Sequence, residues 1–343
     1  MPESRHIISH DQAEPPFFIG FDLGGTNIKV GVVDDRGRTL AYDRFPTRVP
    51  HGPENACQRM AAAIGPLLAQ ARLPPSAIAR IGLGTPGTMD IPAGRLLEPP
   101  NLPGWEQFPI RDRLAELAGT QVTFSNDAGA AAFGEYWQGS GRGQNNMILL
   151  TLGTGIGGGI ILSGHSLAGE HSHGAECGHI IIDYHATARM CTCGQPGHLE
   201  AYAAGLAIIK RTEEALEANR PSSLTERMRK PEPLTPLMIS EEAEQGDPLS
   251  LEIVLETARY LGIGIVSLMH TLDPSAVIIG GAMTFGCHET SVGRQFLARV
   301  RAEVQQRAFP LLAAETKIDY AQLGGDAGYI GVAGLARLDH AGR

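Results

Sequence analysis

Lysine is scarce in this chain, with four in 343 residues, at positions 29, 210, 230 and 317. None follows a glycine, so a Gly-x-x-x-x-Gly-Lys-Ser/Thr phosphate loop cannot occur. Basic runs are missing too. The 37 acidic residues outweigh 28 Lys and Arg, for a net charge of −9, which argues against nucleic acid as the main partner. No apolar stretch reaches the roughly 18 residues that a membrane-spanning helix needs. Met1–Pro16 lacks the apolar core of a signal peptide and reads as a disordered tail. Five cysteines in so long a chain do not make a disulfide framework, and a reducing, cytoplasmic setting is expected.

Glycine is abundant, 43 in all, and it is clustered in motifs. At 43% hydrophobic and 19% charged, the composition is that of an ordinary globular protein. The length suits about two domains. Phe17–Val33 reads as an apolar strand, a tight Asp22-Leu23-Gly24-Gly25-Thr26 turn, and a second strand containing Lys29. Glycines permit positive φ and close backbone approach, and a turn of exposed N–H groups makes a concave anion site. Thr26 adds a hydroxyl donor, and Asp22 at the strand end could hold a metal through water. The stretch is a nucleotide-phosphate site built on a hairpin.

Farther along, Asn55–Arg72 reads as an alanine-rich helix stopped before Pro74-Pro75. Ile78–Gly84 is a buried strand entering the turn Thr85-Pro86-Gly87, and Pro99–Trp105 is a loop of turn formers. Strand Val122–Ser125 leads through Asn126-Asp127 into a helix over Ala128–Trp137. Strands Met147–Leu152 and Ile160–Leu162 flank Gly153–Gly159, and Gly164–Glu200 is loop-like and dense in His, Cys, Glu and Gly. A helix is expected over Ala201–Ala218, a mobile surface segment over Asn219–Pro236, and a long helix within Glu241–Met269. Val277–Gly281 is a strand ending in a glycine turn, and Gly324-Gly325-Asp326 leads into a last helix, Ala327–Leu338. The alternation indicates an α/β fold. Strand, Gly/Thr turn, strand occurs at Phe18–Val33 and again at Met147–Leu162, as two similar halves closing on one nucleotide would require.

Gly153-x-Gly155-x-x-Gly158 matches the dinucleotide fingerprint, which requires a helix after the glycines. Here Ile160-Ile161-Leu162 follows and is strand-like. A structural glycine hairpin and a second phosphate loop facing the first are the other readings.

Four stretches occur in an order that resembles the ROK family of sugar kinases and repressors, within the actin/hexokinase-like ATPase fold. They are Asp22–Thr26 with Lys29 and Gly31, Leu152–Gly159, Glu176-Cys177-Gly178-His179, and Cys191-Thr192-Cys193-Gly194-Gln195-Pro196-Gly197-His198-Leu199-Glu200. Pro99-Asn101-Leu102-Pro103-Gly104-Trp105 looks most like the family's bacterial glucokinases. The resemblance spans roughly Ile19 to Leu338. Family repressors carry a helix-turn-helix domain before the first hairpin, for which about 16 residues are too few. Two α/β domains with an active-site cleft between them are therefore expected. The small one covers 17–126 and is completed by helix 327–338. The large one covers 127–326 and carries a zinc-binding loop over 176–200.

The family's zinc is held by the histidine of Glu-x-Gly-His and three cysteines. Here His198 stands where the family usually has cysteine, and Cys177 replaces a more usual apolar residue. The resemblance thus implies His179, Cys191, Cys193 and His198 as a tetrahedral structural zinc set. His171, His173 and His185 are rival ligands, and a surface His198 beside an empty site is the other outcome.

The resemblance also assigns the transfer site. Asn126-Asp127 matches the family's sugar-binding pair, with Asp127 as general base toward the sugar 6-hydroxyl. From the residues alone, Asp127 reads equally as a helix cap. Glu176, His179 and Glu200 are expected on the ring hydroxyls, with Asn101 and Gly87 contributing. Gly24, Gly25, Thr26 and Lys29 would approach the ATP phosphates from one side, and Thr154 and Gly155 from the other. Asp22 would hold Mg²⁺ through water, and Gly280-Gly281 would lie near the adenosine. The expected activity is ATP-dependent phosphorylation of a hexose, glucose first. Fructose, mannose, allose and the N-acetylhexosamines compete, although Thr88 stands where the family's N-acetylmannosamine kinases carry arginine. A sugar-responsive regulator without catalysis and a nicotinamide-dependent oxidoreductase are the alternatives from other classes. A homodimer or homotetramer is expected.

Overall fold

The computed structural model describes residues 6–99, 101–229 and 232–342. The chain begins with β1 (Phe17–Leu23), β2 (Asn27–Val33), β3 (Thr39–Pro46), α1 (Gly52–Ala71) and β4 (Ile78–Thr85). A small hairpin of β5 (Met89–Asp90) and β6 (Arg95–Leu96) follows, then α2 (Ile110–Ala118), β7 (Val122–Asn126) and α3 (Asp127–Gln138). Next come β8 (Met147–Leu152), β9 (Ile156–Leu162), β10 (His165–Ser166), α4 (Glu200–Ala203), α5 (Gly205–Glu217), α6 (Leu224–Arg227) and α7 (Pro236–Glu244). The remainder is α8 (Pro248–Leu272), β11 (Ala276–Gly281), α9 (Ser291–Arg307), α10 (Pro310–Glu315), β12 (Lys317–Tyr320) and α11 (Ala327–His340). Among the described residues no helix is long and apolar enough to cross a membrane.

Two compact units result. One is Met1–Gly143 with Gly159–Ala175 and Gln322–Arg343; the other is Gln144–Gly158 with Glu176–Ala321. The first is built on a mixed sheet of order β3-β2-β1-β4-β7. β1 pairs antiparallel with β2 and parallel with β4, and β4 pairs parallel with β7. Because side chains alternate across a strand, Ile19, Phe21 and Leu23 enter one core with Met60 and Leu67 of α1 and Ile110 and Leu114 of α2. Phe18 and Val33 point the other way, onto Tyr329, Ile330 and Ala333 of α11. The strand is buried on both faces, which is why it reads as an unbroken apolar run.

α11 lies directly on the sheet backbone. A Cβ at Gly20 would stand 1.9 Å from the Tyr329 carbonyl oxygen, and one at Gly82 2.1 Å from that of Val332. α11 meets α3 in the same manner: a Cβ at Gly331 would sit 1.7 Å from the Ala130 oxygen, and one at Gly134 2.3 Å from that of Ala327. This packing moves the domain boundary expected at 126. α3 belongs with the first unit, as does the second half of β9, where a Cβ at Gly159 would be 2.3 Å from the Ala132 Cβ.

In the second unit β11 lies between β8 and β12, parallel to both, and β8 runs into the start of β9. β11 is buried from Ala276 to Gly280, as a central parallel strand must be. α8 begins at Pro248, with the Asp247 carboxylate accepting from the Ser250 N–H, and ends at Asp273 in the left-handed region.

Several expectations need correction. Of the tail expected over Met1–Pro16, residues 1–5 lie outside the described residues. The rest is ordered: Ile8 is buried, its N–H donates to the Thr39 oxygen at 2.9 Å, and the Arg38 guanidinium donates to the Gln12 oxygen. The helix expected over Ala201–Ala218 breaks at Ala204, whose ψ of 170° is extended. The long helix expected within Glu241–Met269 is α8, which starts at Pro248 and runs on to Leu272, and Glu241–Glu244 belong to α7, parted from it at Gly246, which has φ of 96°. Lys230 and Pro231 of the segment expected to be mobile are outside the described residues, but its Leu224 and Leu234 are buried. Arg227 pairs there with Glu241 and Glu242. β3, α2, α9, α10 and β12 had no sequence counterpart; short or strongly charged elements such as α2 carry little periodic signal.

Replacing Gly331 by Ala inserts a methyl group into backbone. The expected outcome is a loss of about 3 kcal/mol of unfolding free energy, read by chemical denaturation followed by circular dichroism. An unchanged midpoint contradicts the backbone-on-backbone packing of α3 and α11.

Candidate functional site

In the first unit, parallel register sets the site. Asp22 on β1 lies opposite Gly84 on β4, and Thr85 lies opposite Asn126 on β7. The glycine turn after β1 and the Asn126-Asp127 junction after β7 therefore leave the sheet at the same edge, the carboxyl ends of the parallel strands, where α/β sheets bind ligands. The turn closes with the Gly24 N–H donating to the Asn27 oxygen at 2.9 Å. Its carbonyls are held by buried Thr47, whose hydroxyl donates to the Gly24 oxygen at 2.5 Å and whose N–H donates to that of Thr26 at 2.9 Å. Neither Gly24 nor Gly25 adopts positive φ. Gly25 serves by close approach instead, since a Cβ there would be 3.1 Å from the Asn101 oxygen. The expected phosphate turn and the expected sugar residue Asn101 are thus neighbours.

Burial raises the Asp22 carboxyl pKa, and the Lys29 ammonium at 3.5 Å opposes the shift. Lys29 also donates to the Gly325 oxygen at 2.7 Å. The Asp22 carboxylate packs against Gly328, where a Cβ would be 2.6 Å from its carbon, in the first turn of α11. A helix N-terminus favours such a charge. Gly325 and Gly328 were missed as site residues; the signal was the Gly324-Gly325-Asp326 run read only as a helix lead-in.

Asn126 is the cap: its Oδ1 accepts from the Ala128 N–H at 2.9 Å and the Gly129 N–H at 3.3 Å. Its Nδ2 faces the Gly87 oxygen at 3.4 Å. Asp127 is the first residue of α3, one position earlier than expected, and its Oδ1 also accepts from the Ala128 N–H at 2.8 Å. Thr88 pairs with Glu98 through its hydroxyl, which accepts the Glu98 N–H at 3.0 Å. Replacing Asn126 by Ala is expected to cost about 1 kcal/mol of stability. Asp127→Asn, which keeps an acceptor, is expected to stay within about 0.5 kcal/mol. Denaturant melts of the two variants check this, and the reverse order would make Asp127 the cap.

In the second unit, Gly153-Thr154-Gly155 is the turn between β8 and β9, and Gly157–Gly159 lie inside β9. The turn is gripped by one short segment. The Gly205 N–H donates to the Gly153 oxygen at 2.8 Å, and the Leu206 N–H to the Thr154 oxygen at 3.4 Å. On the other flank Glu200 Oε2 accepts the Ile156 N–H at 2.9 Å. The break at Ala204 is what lets residues 200 and 205 both reach the turn. Gly281, with φ of 93°, pairs with Leu152 beside the turn, where a Cβ would be 2.3 Å from the Leu152 oxygen. Thr154, Gly155, Gly280 and Gly281 therefore share one sheet end.

His179, Cys191, Cys193 and His198 converge, their four ligand atoms all within 4.8 Å of one another. The two Nδ1 atoms are 3.3 Å apart, Cys191 Sγ is 3.8 Å from His179 Nδ1, and Cys193 Sγ is 3.3 Å from His198 Nδ1. A zinc tetrahedron with ordinary bond lengths has edges of about 3.3 Å between nitrogens and about 3.6 Å between nitrogen and sulfur. The donor set fits zinc. Burial holds the Cys191 thiol up at about 11, so a cation must displace its proton. Burial, with His179 beside it, lowers the His198 pKa toward the neutral ligand form. The rival histidines are elsewhere: His185 Nδ1 pairs with Asp183 at 2.7 Å, and His173 Nδ1 with the His171 oxygen. Cys177 is buried outside the cluster.

The loop that carries these donors is stapled at its base. Tyr202 donates to Asp183 Oδ2 at 2.5 Å and accepts the Arg189 N–H at 2.8 Å. Gly197, with φ of 81°, lies against the Asp183 oxygen, where a Cβ would be at 1.9 Å. With His179 Nδ1 committed to the cluster, its Nε2 faces Glu176 at 3.9 Å. Glu200 is not the solvated helix carboxylate that a first-turn position suggests. Its Oε1 accepts from the Thr192 hydroxyl at 2.8 Å and from Cys191 Sγ at 3.4 Å, while Oε2 holds the glycine turn.

Comparison with known proteins follows the same lines. The ROK family model matches residues 18–338. A glucokinase of Halalkalibacterium halodurans is 33% identical over 315 residues, 92% of this chain and 93% of that protein. The crystal structure of a ROK hexokinase from Thermus thermophilus superposes with a TM-score of 0.80 at 34% identity, covering 95% of this chain and all of that one. A ROK family glucokinase from Streptomyces griseus, solved with glucose and AMPPNP, gives 0.72 at 32% identity over 94% of this chain and 99% of its own. With that coverage, and with the α/β architecture of the actin/hexokinase-like fold, the chain belongs to the ROK family.

Proposed function

We propose that this protein transfers the γ-phosphoryl group of ATP to the 6-hydroxyl of a hexose, glucose before others, with Asp127 as general base. It is an enzyme of the ROK hexokinase and glucokinase type, a sugar kinase that uses ATP. The observation that carries the reading is the shared sheet edge of the first unit. Parallel register brings the Asp22–Thr26 turn and the Asn126-Asp127 junction out at the same end of the sheet, with Asn126 as the N-cap of α3 and Asp127 as its first residue, which supports Asp127 as the base. The Streptomyces griseus relative, solved with glucose and AMPPNP, supports the choice of both substrates.

In this reading Asn126 and Asn101 orient the sugar, and the Asp127 carboxylate accepts the proton of the 6-hydroxyl as its oxygen attacks the γ-phosphorus. The new O–P bond forms as the bond to the β-phosphate oxygen breaks, and ADP leaves with the displaced electron pair. Transfer of this kind needs charge neutralisation and positioning more than covalent chemistry. The turn N–H groups at Gly24–Thr26, Lys29, and the Thr154-Gly155 turn supply it. Asp22 would hold magnesium, which would supply positive charge at the phosphates. Glu176 and the Nε2 face of His179 contribute to the ring hydroxyls, and Gly280-Gly281 lies toward the adenosine. Thr88, standing where the family's N-acetylmannosamine kinases carry arginine, supports a preference for glucose over N-acetylmannosamine.

Zinc in the His179, Cys191, Cys193 and His198 set is structural, because all four coordination positions are filled by protein. Metal analysis of the purified protein is expected to find about one equivalent of zinc. His198→Ala is expected to lose it. Less than half an equivalent in the wild type, with no change in the variant, rejects the site.

A coupled assay with ATP across a panel of hexoses tests the activity. Asp127→Ala is expected to lower kcat at least about 10²-fold with folding retained. A near-normal kcat in that variant removes the base assignment, and phosphorylation of no hexose removes the kinase reading.

A further inference from the structure

The carboxylate of Glu200 joins two elements that the chemistry above treats separately. Its Oε2 accepts the Ile156 N–H at 2.9 Å, at the exit of the Gly153–Gly155 turn. A Cβ at Gly155 would lie 2.3 Å from the same oxygen, so the turn and the carboxylate are in direct contact. Its Oε1 accepts the Thr192 hydroxyl at 2.8 Å, and Thr192 stands between the donors Cys191 and Cys193. Cys191 Sγ also approaches that oxygen, at 3.4 Å. A thiol that gives up its proton to a bound cation no longer donates. The Thr192 hydroxyl donates whether or not a cation is present.

We propose that Thr192 and Glu200 are positioning residues that couple the metal loop to the nucleotide-phosphate turn, so that zinc and nucleotide each tighten the binding of the other. The proposal rests on the reading of Gly153–Gly155 as a phosphate contact and of the four-donor cluster as a zinc site. The physical basis is one carboxylate with two fixed partners. Ordering the loop around a cation fixes Thr192. The Thr192 hydroxyl then fixes the Glu200 rotamer, and Glu200 holds the Ile156 N–H and the turn before it. A phosphate bound at the turn orders the same chain of contacts from the other end. A coupling free energy is reciprocal, so the effect is measurable from either ligand.

Zinc affinity of the full chain is measured by competition with a chromophoric chelator, with excess magnesium, in the absence and presence of saturating AMPPNP. The wild type is expected to bind zinc at least about 5-fold more tightly with the nucleotide. Thr192→Val, which keeps both cysteines and the side-chain shape, is expected to bind zinc and AMPPNP but to reduce that ratio to within about 2-fold. Thr192→Ser restores the hydroxyl and is expected to restore the ratio. Circular dichroism of each variant checks that it is folded. A wild-type ratio of one, or equal ratios in wild type and Thr192→Val, overturns the coupling while leaving the kinase reading in place. Failure of AMPPNP to bind the wild type overturns the nucleotide reading and the coupling with it.

Discussion

The close contact of α11 with the first sheet governs the geometry of that unit. No side chains separate the helix from the strands at Gly20 and Gly82, and none separates it from α3 at Gly134 and Gly331. Interiors are packed like crystals, so an approach of this kind leaves little room for adjustment. Its consequence is chemical. The N-terminal end of α11 is held over the end of β1, where Gly328 meets the Asp22 carboxylate and the preceding Gly325 carbonyl receives Lys29. A carboxylate that burial disfavours is retained there, next to a helix N-terminus and an ammonium group.

The approach to α11 is anchored by another buried acid. Glu135 is fully buried, and its two oxygens accept the N–H groups of Gln322 and Leu323 on one side and Ser140 on the other. Buried polar groups persist when hydrogen bonds satisfy them. Here backbone donors do so, fixing the path of residues 322–323 just before Gly324-Gly325-Asp326. Placement of Lys29 therefore depends on Glu135, more than a hundred positions away in sequence.

The second unit uses a different device. Its glycine turn, the Cys191–His198 loop and the α4–α5 bend meet within a few residues of Glu200, and hydrogen bonds link them. The Tyr202–Asp183 pair closes the base of the loop, and hydrogen bonds from Tyr202 and His185 hold the Asp183 carboxyl down at about 2. Hydrogen bonding to the charged form keeps a carboxylate ionised, so the staple is an acceptor at any ordinary pH. His198 brings to the four-residue cluster an imidazole with one negative charge fewer than a thiolate, its Nδ1 3.3 Å from Cys193 Sγ.

Local features were legible in the residues themselves. The glycine hairpin at Asp22–Thr26, the strand-to-helix junction at Asn126-Asp127 and the strand character of Ile160–Leu162 follow from short-range periodicity and turn chemistry. The Cys191–Glu200 stretch, with His179 upstream, named through its likeness to a family the four candidate donors that converge in the structure. What lay beyond reach depended on contacts between distant residues. Sequence spacing offers no way to know that Asn126 takes the N-cap position while Asp127 is the first helical residue, because both residues are competent caps. It does not tell that Glu200 is held between Ile156 and Thr192, or that α3 sits with α11, because those contacts form only when separated segments pack. The sequence by itself determined which groups could bind phosphate, sugar and metal. Tertiary structure alone decided which of them share a sheet edge, since parallel register and glycine-mediated helix packing bring together residues up to about three hundred positions apart.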